Sequence, residues 1–557
     1  MTLTRHFAYW PKGVPTSITV PKTTLYDNLL VSARRYPDKT AIYYYGTAVT
    51  YDRLLAEAKA LAGYLQHELG VKRGDRVLLY MQNAPQFFVS FFGILAAGAV
   101  VVPMNPMNMT EELRFYIEDG GIETALVGQE LLPRITPLQK ETTLQHIVAA
   151  AYSDYIEGTP KYALPDVVTA PRQTDVGDDV VLWADALNRG LQPVDVGTTC
   201  DDLAVLPYTS GTTGRPKGCM HTHRTVQANV AGGANARMTT PESVTLTVLP
   251  LFHVTGLVHC MNVPVYLGAT SVLMTRWDRE TAAQLIEDQR VTSWTNISTM
   301  MIDFLANPNL SKYDLSSLAS IGGGGATLPA AVGERLKQLF GLNYTEGYGL
   351  SETIAQVTFN PPDRPKLQCM GMPCPDVDAR VVNPQTLEEL GPNEEGELIV
   401  NGPQVFLGYW NRPEENAKAF VELDGKRFFR TGDLVRYDEE GYLFMVDRLK
   451  RMINASGFKV WPAEVESLLY QHEAVQMACV IGAPDEHRGE TVKAYIVLKA
   501  DYQGRVRPED IIEWTKDKIA AYKRPRLVEF VDALPMSGTG KVMWRTLQEK
   551  EWAQVKA

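Results

Sequence analysis

An excess of basic residues is missing from this 557-residue chain: 54 lysines and arginines face 65 aspartates and glutamates, for a formal net charge of -11. That balance argues against a nucleic-acid partner, and any anionic ligand has to be met by local cations. Cysteine is scarce and scattered. Cys200, Cys219, Cys260, Cys369, Cys374 and Cys479 form no CxxC pair, so neither a zinc site nor a disulfide framework is signalled, and a reduced, cytoplasmic setting is expected. No apolar run follows the opening MTLTRHFAYWPKGVP, so export is not expected. The one long apolar stretch, FFVSFFGILAAGAVVVP (87–103), is too short and too glycine-containing for a comfortable membrane span. It reads as a buried helix over 87–98 that runs through Gly98 into a buried strand over 99–102, leaving no integral membrane segment. Repeats of 20–50 residues are also absent, which excludes solenoids and propellers.

What is present is an ordinary globular composition, 45% hydrophobic and 21% charged, long enough for roughly three to four structural units. Short β-rich runs such as RVLLYM (76–81), AVVVPM (99–104), TALVG (124–128) and SVLMT (271–275) alternate with helical stretches such as 51–70, the signature of βαβ units. Past residue 375 strands follow one another with little helix. From about Arg448 the texture returns to α/β, with strands on either side of GAPDEHRGE and an amphipathic helix expected over 509–523. The expected fold is therefore α/β. A large N-terminal domain (1–447) combines mixed sheets, helices and a β-rich subdomain, and a small α/β C-terminal domain (448–557) follows.

The most informative segment is YTSGTTGRPKG, Tyr208 to Gly218. Glycines let backbone N–H groups turn toward a polyanion, hydroxyls add neutral donors, and Lys217 adds charge, so the string reads as a phosphate cradle. It is not a Walker A loop, because Pro216 stands where that motif needs glycine.

Together with YGLSET (348–353), RTGDL (430–434), DRLKRMINASGFKV (447–460) and SGTGK (537–541), this string resembles the adenylate-forming superfamily of acyl-CoA synthetases, peptide-synthetase adenylation domains and luciferases. The motifs stand in that family's order. The resemblance implies a mobile C-terminal domain and a reaction in which ATP activates a carboxylate as acyl-AMP before transfer. It assigns Thr209, Ser210, Gly211, Thr212, Thr213, Gly214 and Lys217 to the phosphates, with Thr209 also catalytic. Glu352 would hold Mg2+, a hard cation suited to a carboxylate beside phosphate oxygens. Thr353 would contact the α-phosphate, and Gly324, Gly325, Ala326, Gly347, Tyr348 and Gly349 would line the adenine pocket. Asp433, read as lying in a tight turn after the short strand RFFR, would hold the ribose with Arg448 as its partner. Lys541 would neutralise charge during adenylation. Lys450 would be the pivot for a rotation that brings Gly457, Lys459 and the cluster Lys523, Arg524 and Arg526 to CoA.

The segment LPLFHVTGLVHCMN (249–262) resembles the start of the acid-binding wall, with His253 near the carboxylate. It holds no acidic residue for an α-amino group, which disfavours an amino-acid substrate. Thr255, Gly256 and Leu257 leave depth for an alkyl chain, while His259, Met261 and 295–301 close the floor. The expected activity is an ATP-, Mg2+- and CoA-dependent ligase for a medium- or long-chain fatty acid. Alternatives are an aromatic, branched or short sulfur-containing acid, or a stand-alone adenylation enzyme loading a carrier protein. The resemblance leaves a homodimer open.

Overall fold

The structure, a computed structural model, describes residues 4–177, 179–209, 216–236, 239–325, 328–455, 458–485, 489–516, 518–537 and 541–556, without the side chains of 450, 458, 459 and 554–556. Contacts divide the chain into two compact units, one of His6–Asp378 with Asn401–Arg427, the other of Met1–Arg5, Ala379–Val400 and Phe428–Ala557. The large N-terminal and smaller C-terminal α/β parts expected from the sequence are present.

The larger unit is built on two sheets. In the seven-stranded sheet the order is Val180–Leu182, His146–Ala150, Thr124–Gly128, Arg76–Tyr80, Val100–Pro103, Leu203–Val205, His221–Thr222, parallel except for the last pair. Successive side chains of a strand face opposite ways, and here both faces are covered. Val77 and Leu79 enter one apolar cluster while Leu78 and Tyr80 enter another. The nine-stranded sheet runs Met372–Pro373, Ala355–Phe359, Tyr344–Leu350, Ser320–Gly324, Ser293–Asn296, Val244–Thr247, Thr270–Leu273, Thr40–Tyr44, Thr47–Thr50, with parallel strands inside and antiparallel hairpins at the edges.

The apolar stretch forms a buried helix, Pro85–Ala96, entered through a proline at its first turn. It stops two residues earlier than expected. Gly98 takes φ +79°, and a Cβ there would lie 2.4 Å from Val196 Cγ2, so the chain breaks at glycine before the strand Val100–Pro103. Phe87, Phe88 and Phe91 share one cluster with Leu61 of the helix Tyr51–His67, Val101 of one sheet and Leu246 of the other. Each such phenylalanine contributes roughly 1.5–3 kcal/mol by leaving water.

In the smaller unit the strand Lys426–Tyr437 pairs antiparallel with Gly396–Asn401 and with Leu443–Arg448. A second sheet holds Ile453–Ala455, Phe458–Val460, Val475–Asp485, Gly489–Leu498 and Leu527–Phe530, packed with the helix Pro462–Leu469. The helix expected over 509–523 is only Pro508–Trp514. The Thr515 hydroxyl bonds back to Ile512 O at 2.7 Å, and Ile519 and Tyr522 reach the same core from turns. The apolar spacing there reported burial and not helix. Among the described residues no helix is long and apolar enough to cross a membrane, and none of the six cysteines forms a disulfide.

Candidate active site

The phosphate-loop string is pinched at its base. Tyr208 bridges Gly218, and Thr209 N–H donates to Lys217 O at 2.9 Å. Ser210, Gly211, Thr212, Thr213 and Gly214 lie outside the described residues. A third piece of chain, 406–412, runs beside the returning limb: Trp410 N–H donates to Gly218 O at 2.8 Å, Met220 N–H to Gly408 O at 3.0 Å, and Leu407 N–H to Met220 O at 3.0 Å. The Tyr208 hydroxyl donates to Asp119 at 2.8 Å, and Arg412 meets the other oxygen of that carboxylate. Burial and Asp119 together push the Tyr208 phenol far above its ordinary value, so it remains a donor.

Beyond the strand Tyr344–Leu350 the chain makes a single 3₁₀ turn, Ser351–Thr353, that carries Glu352. The next two residues are held in unusual backbone, Ile354 at φ +44° and Ala355 at φ +101°. Such positions cost on the order of 1–3 kcal/mol each and persist only where the surroundings impose them. Here the surroundings are specific. His221 Nε2 lies 2.7 Å from Ser351 O, and since a carbonyl only accepts, Nε2 carries the proton. Burial lowers this imidazole to about 4, which keeps it neutral. Asn229 Nδ2 donates to Thr353 O at 2.7 Å and Ile354 O at 3.2 Å. Phe406 N–H donates to Glu352 O at 2.9 Å. The Tyr409 hydroxyl donates to Glu352 Oε1 at 2.8 Å, and the Lys217 ammonium sits 4.2 Å from the centroid of the same ring. Thr353 is fully buried, with its hydroxyl 3.2 Å from Leu350 O and 3.0 Å from Ala355 O.

The glycine run forms the strand Ser320–Gly324, parallel to Tyr344–Leu350 with Gly324 opposite Gly347. Side chains are excluded there: a Cβ on Gly323 would be 1.9 Å from Asn296 O and one on Gly324 2.4 Å from Gly347 O. Gly325 follows at φ +86°, and Ala326 lies outside the described residues. Across the hairpin Gly349 packs so closely that a Cβ would meet Ala355 O at 1.6 Å, while Tyr348 is buried with its N–H on the Thr358 hydroxyl at 3.3 Å. Between them Glu346 points inward and accepts from Leu328 N–H at 2.6 Å and Cys369 N–H at 3.0 Å. Burial outweighs those bonds and pushes its carboxyl up to about 7.

His253 is half-buried on a turn where its N–H donates to Pro250 O at 3.1 Å, and the chain then enters a π-helical turn, Gly256–Asn262. Widened turns of this kind are rare and recur at functional sites. Thr247 and Ser271 hydroxyls both donate to Cys260 O, and Asn262 Nδ2 donates to Leu257 O at 2.9 Å. His259 and Met261 are buried in it.

The smaller unit carries the other expected residues. Asp433 and Arg448 stand directly opposite each other on paired strands, with Arg448 Nε 3.0 Å from Asp433 Oδ1. Asp433 is in no tight turn. It lies within the twelve-residue strand Lys426–Tyr437, just after Gly432 at φ +69°, because pairing on both sides keeps the strand running through RTGDL. Lys541 is exposed at the foot of a loop closed by the Met536–Val542 bridge and by Ser537 N–H donating to Lys541 O at 2.7 Å. Lys523 is paired with Glu464, 2.7 Å from each carboxylate oxygen. Lys450 belongs to the 3₁₀ turn Leu449–Arg451 and Lys459 to the strand Phe458–Val460, but their side chains, like Gly457, lie outside the described residues. Beside them the buried Asp447 accepts from Ala463 N–H at 2.8 Å.

The AMP-binding enzyme family matches residues 29–410, and the AMP-binding enzyme C-terminal domain matches 464–541. The chain belongs to this family of adenylate-forming enzymes. It is 36% identical over 556 residues to a long-chain-fatty-acid–CoA ligase of Bacillus subtilis, covering 98% of this chain and 97% of that protein. It is 34% identical over 571 residues to the enzyme of the same name from Escherichia coli, covering 98% of each. Among solved structures, an anthranilate CoA ligase in complex with anthranoyl-AMP superposes with a TM-score of 0.84 at 27% identity, covering 97% of this chain and 99% of that one.

Sequence reasoning missed His221, Asn229, Glu346 and Tyr409. Glu346 had a legible signal, since Tyr344, Glu346 and Tyr348 alternate on the buried face of one strand. The others act through tertiary contacts alone.

Proposed function

We propose that this protein is an AMP-forming acid–CoA ligase whose acid is a long-chain fatty acid. Bond by bond, a carboxylate oxygen attacks the ATP α-phosphorus and pyrophosphate leaves. The CoA sulfur, losing its proton, then attacks the acyl carbon and AMP leaves. The observation that carries the reading is the convergence of Lys217, Glu352 and the glycine strand within one unit, in a chain whose relatives over nearly its full length are long-chain-fatty-acid–CoA ligases.

In this reading Thr209 and Lys217 hold the phosphates, with Ser210, Gly211, Thr212, Thr213 and Gly214 between them. Gly324, Gly325, Ala326, Gly347, Tyr348 and Gly349 flank the adenine, and Asp433 with Arg448 takes the ribose. Glu352 is the residue for Mg2+: a carboxylate oriented by the Tyr409 phenol, beside the place of the phosphates, suits a cation that takes most of its remaining ligands from phosphate and water. Bound there, the ion would draw charge from the phosphates. Thr353 sets its turn at the α-phosphate, His253 stands by the acid and Lys541 completes the adenylation site. The parts 1–447 and 448–557 are proposed to move about Lys450 between half-reactions, bringing Gly457, Lys459 and Lys523 to CoA, a step for which Lys523 must leave Glu464. Cytoplasmic action fits, and a homodimer is compatible. An aromatic acid is the second reading, favoured by the likeness to the anthranilate CoA ligase. ATP–pyrophosphate exchange and CoA-thioester formation over straight-chain, branched and aromatic acids separate the readings. A fatty-acid ligase peaks with long chains, and a preference for benzoate-like acids would overturn that choice.

A further inference from the structure

One aromatic side chain serves two of the groups assigned to the nucleotide. The Tyr409 hydroxyl donates to Glu352 Oε1 at 2.8 Å, while its ring face receives the Lys217 ammonium 4.2 Å from the centroid. Its place is fixed from three directions. Tyr409 bridges Cys219 two residues after the lysine, its N–H donates to Asn416 Oδ1 at 2.7 Å, and its ring stacks edge-on against Phe406 with centroids 4.8 Å apart. Phe406 in turn donates its N–H to Glu352 O, so both the backbone and the side chain of Glu352 are held by the same four-residue stretch. Gly408, at φ +147°, lets the chain turn between those two anchors.

We propose that Tyr409 is a positioning residue of the nucleotide site, its hydroxyl setting the Glu352 carboxylate and its ring seating Lys217. A lysine and a carboxylate brought toward one polyphosphate attract each other, and a direct pair would occupy the groups that ATP and its metal need. A tyrosine resolves this because its two ends differ. The hydroxyl holds the anion by a directed hydrogen bond at Oε1, which fixes how the carboxylate is presented to a cation. The ring quadrupole holds the ammonium loosely enough to yield to phosphate. Phenylalanine would keep the second function and lose the first, and leucine would lose both.

This inference rests on the ligase reading, and the test separates the two. ATP binding to the purified full chain is measured by equilibrium dialysis in EDTA and again with Mn2+, with exchange activity and thermal midpoint followed in parallel. Tyr409→Phe is expected to bind ATP normally in EDTA but to weaken Mn2+-dependent binding by about tenfold, the scale of losing one hydrogen bond to a charged group. Tyr409→Leu is expected to weaken binding in EDTA as well, by roughly threefold or more, with the loss of the cation's seat. Unchanged metal dependence in Tyr409→Phe at an unchanged thermal midpoint overturns the positioning role. Equal losses with and without metal also overturn it, since they mark a packing defect. If the parent protein binds no ATP, the ligase reading falls, and this inference with it.

Discussion

Asn229→Ala tests whether the backbone after Glu352 is held in tension. The Asn229 amide serves two buried carbonyls, those of Thr353 and Ile354, at 2.7 and 3.2 Å. Leaving them unpaired costs about 1–3 kcal/mol each. Against this stands the strain at Ile354 and Ala355, on the order of 1–3 kcal/mol each, which the chain recovers if the turn relaxes to ordinary dihedrals. The two quantities are similar, so relaxation offsets most of the loss. Overall stability should fall by only about 1 kcal/mol, a shift of roughly 1 °C in the thermal midpoint of a chain this long. Position is what suffers, since Glu352 sits one residue before the released carbonyls. An ångström of displacement at such a site costs up to about a hundredfold in rate, so ATP–pyrophosphate exchange should fall far more than stability. Adding Ala355→Gly discriminates further, because glycine takes φ +101° without strain and removes the drive to relax. The double variant should recover part of the exchange activity. A large drop in midpoint with exchange intact would refute the reasoning, as would a double variant no better than the single one.

Glu346 predicts a pH dependence of opposite sign to that of most carboxylates. Its carboxyl is raised from 4.5 to about 7 by burial, so between those values the folded chain holds a proton that the unfolded chain releases. Stability therefore falls as pH rises through that window, by about 3 kcal/mol at 1.36 kcal/mol per unit, and Glu346→Gln should gain on the parent from pH 5 to pH 8 in thermal midpoint. Parallel curves would show that the carboxyl is not held in that way. Lys541→Ala should slow acyl-AMP formation by roughly two to three orders of magnitude while consumption of supplied acyl-AMP by CoA changes little. Equal slowing of both half-reactions would remove Lys541 from its assigned step.

The motif segments were legible because their chemistry is local: glycines that admit no Cβ, a lysine after a hydroxyl run, a carboxylate following a strand. The paired strands of Asp433 and Arg448 were half legible. The family resemblance linked the two residues and the flanking segments read as strands, but that they pair on both sides of RTGDL and keep the strand running through it is a tertiary fact that no local pattern announces. The residues of 509–523 show the reverse error. Their apolar spacing is real and buried, yet Thr515 ends the helix by bonding to its own preceding turn. Tyr409 was out of reach, since its two partners lie far away in the chain and are brought to it by tertiary contacts, the bridge at Cys219 beside Lys217 and the Phe406 N–H on Glu352 O.

The buried thiols make the protein its own clock. Only a thiolate is alkylated, and Cys219 in the larger unit is pushed well above the ordinary thiol value by burial, with Cys479 in the smaller unit raised to about 12. A maleimide in solution therefore waits on an opening event at each position. Read peptide by peptide, its uptake times the breathing of the phosphate-loop floor and of the small unit's sheet separately, and a ligand that stills one without the other announces where it has bound.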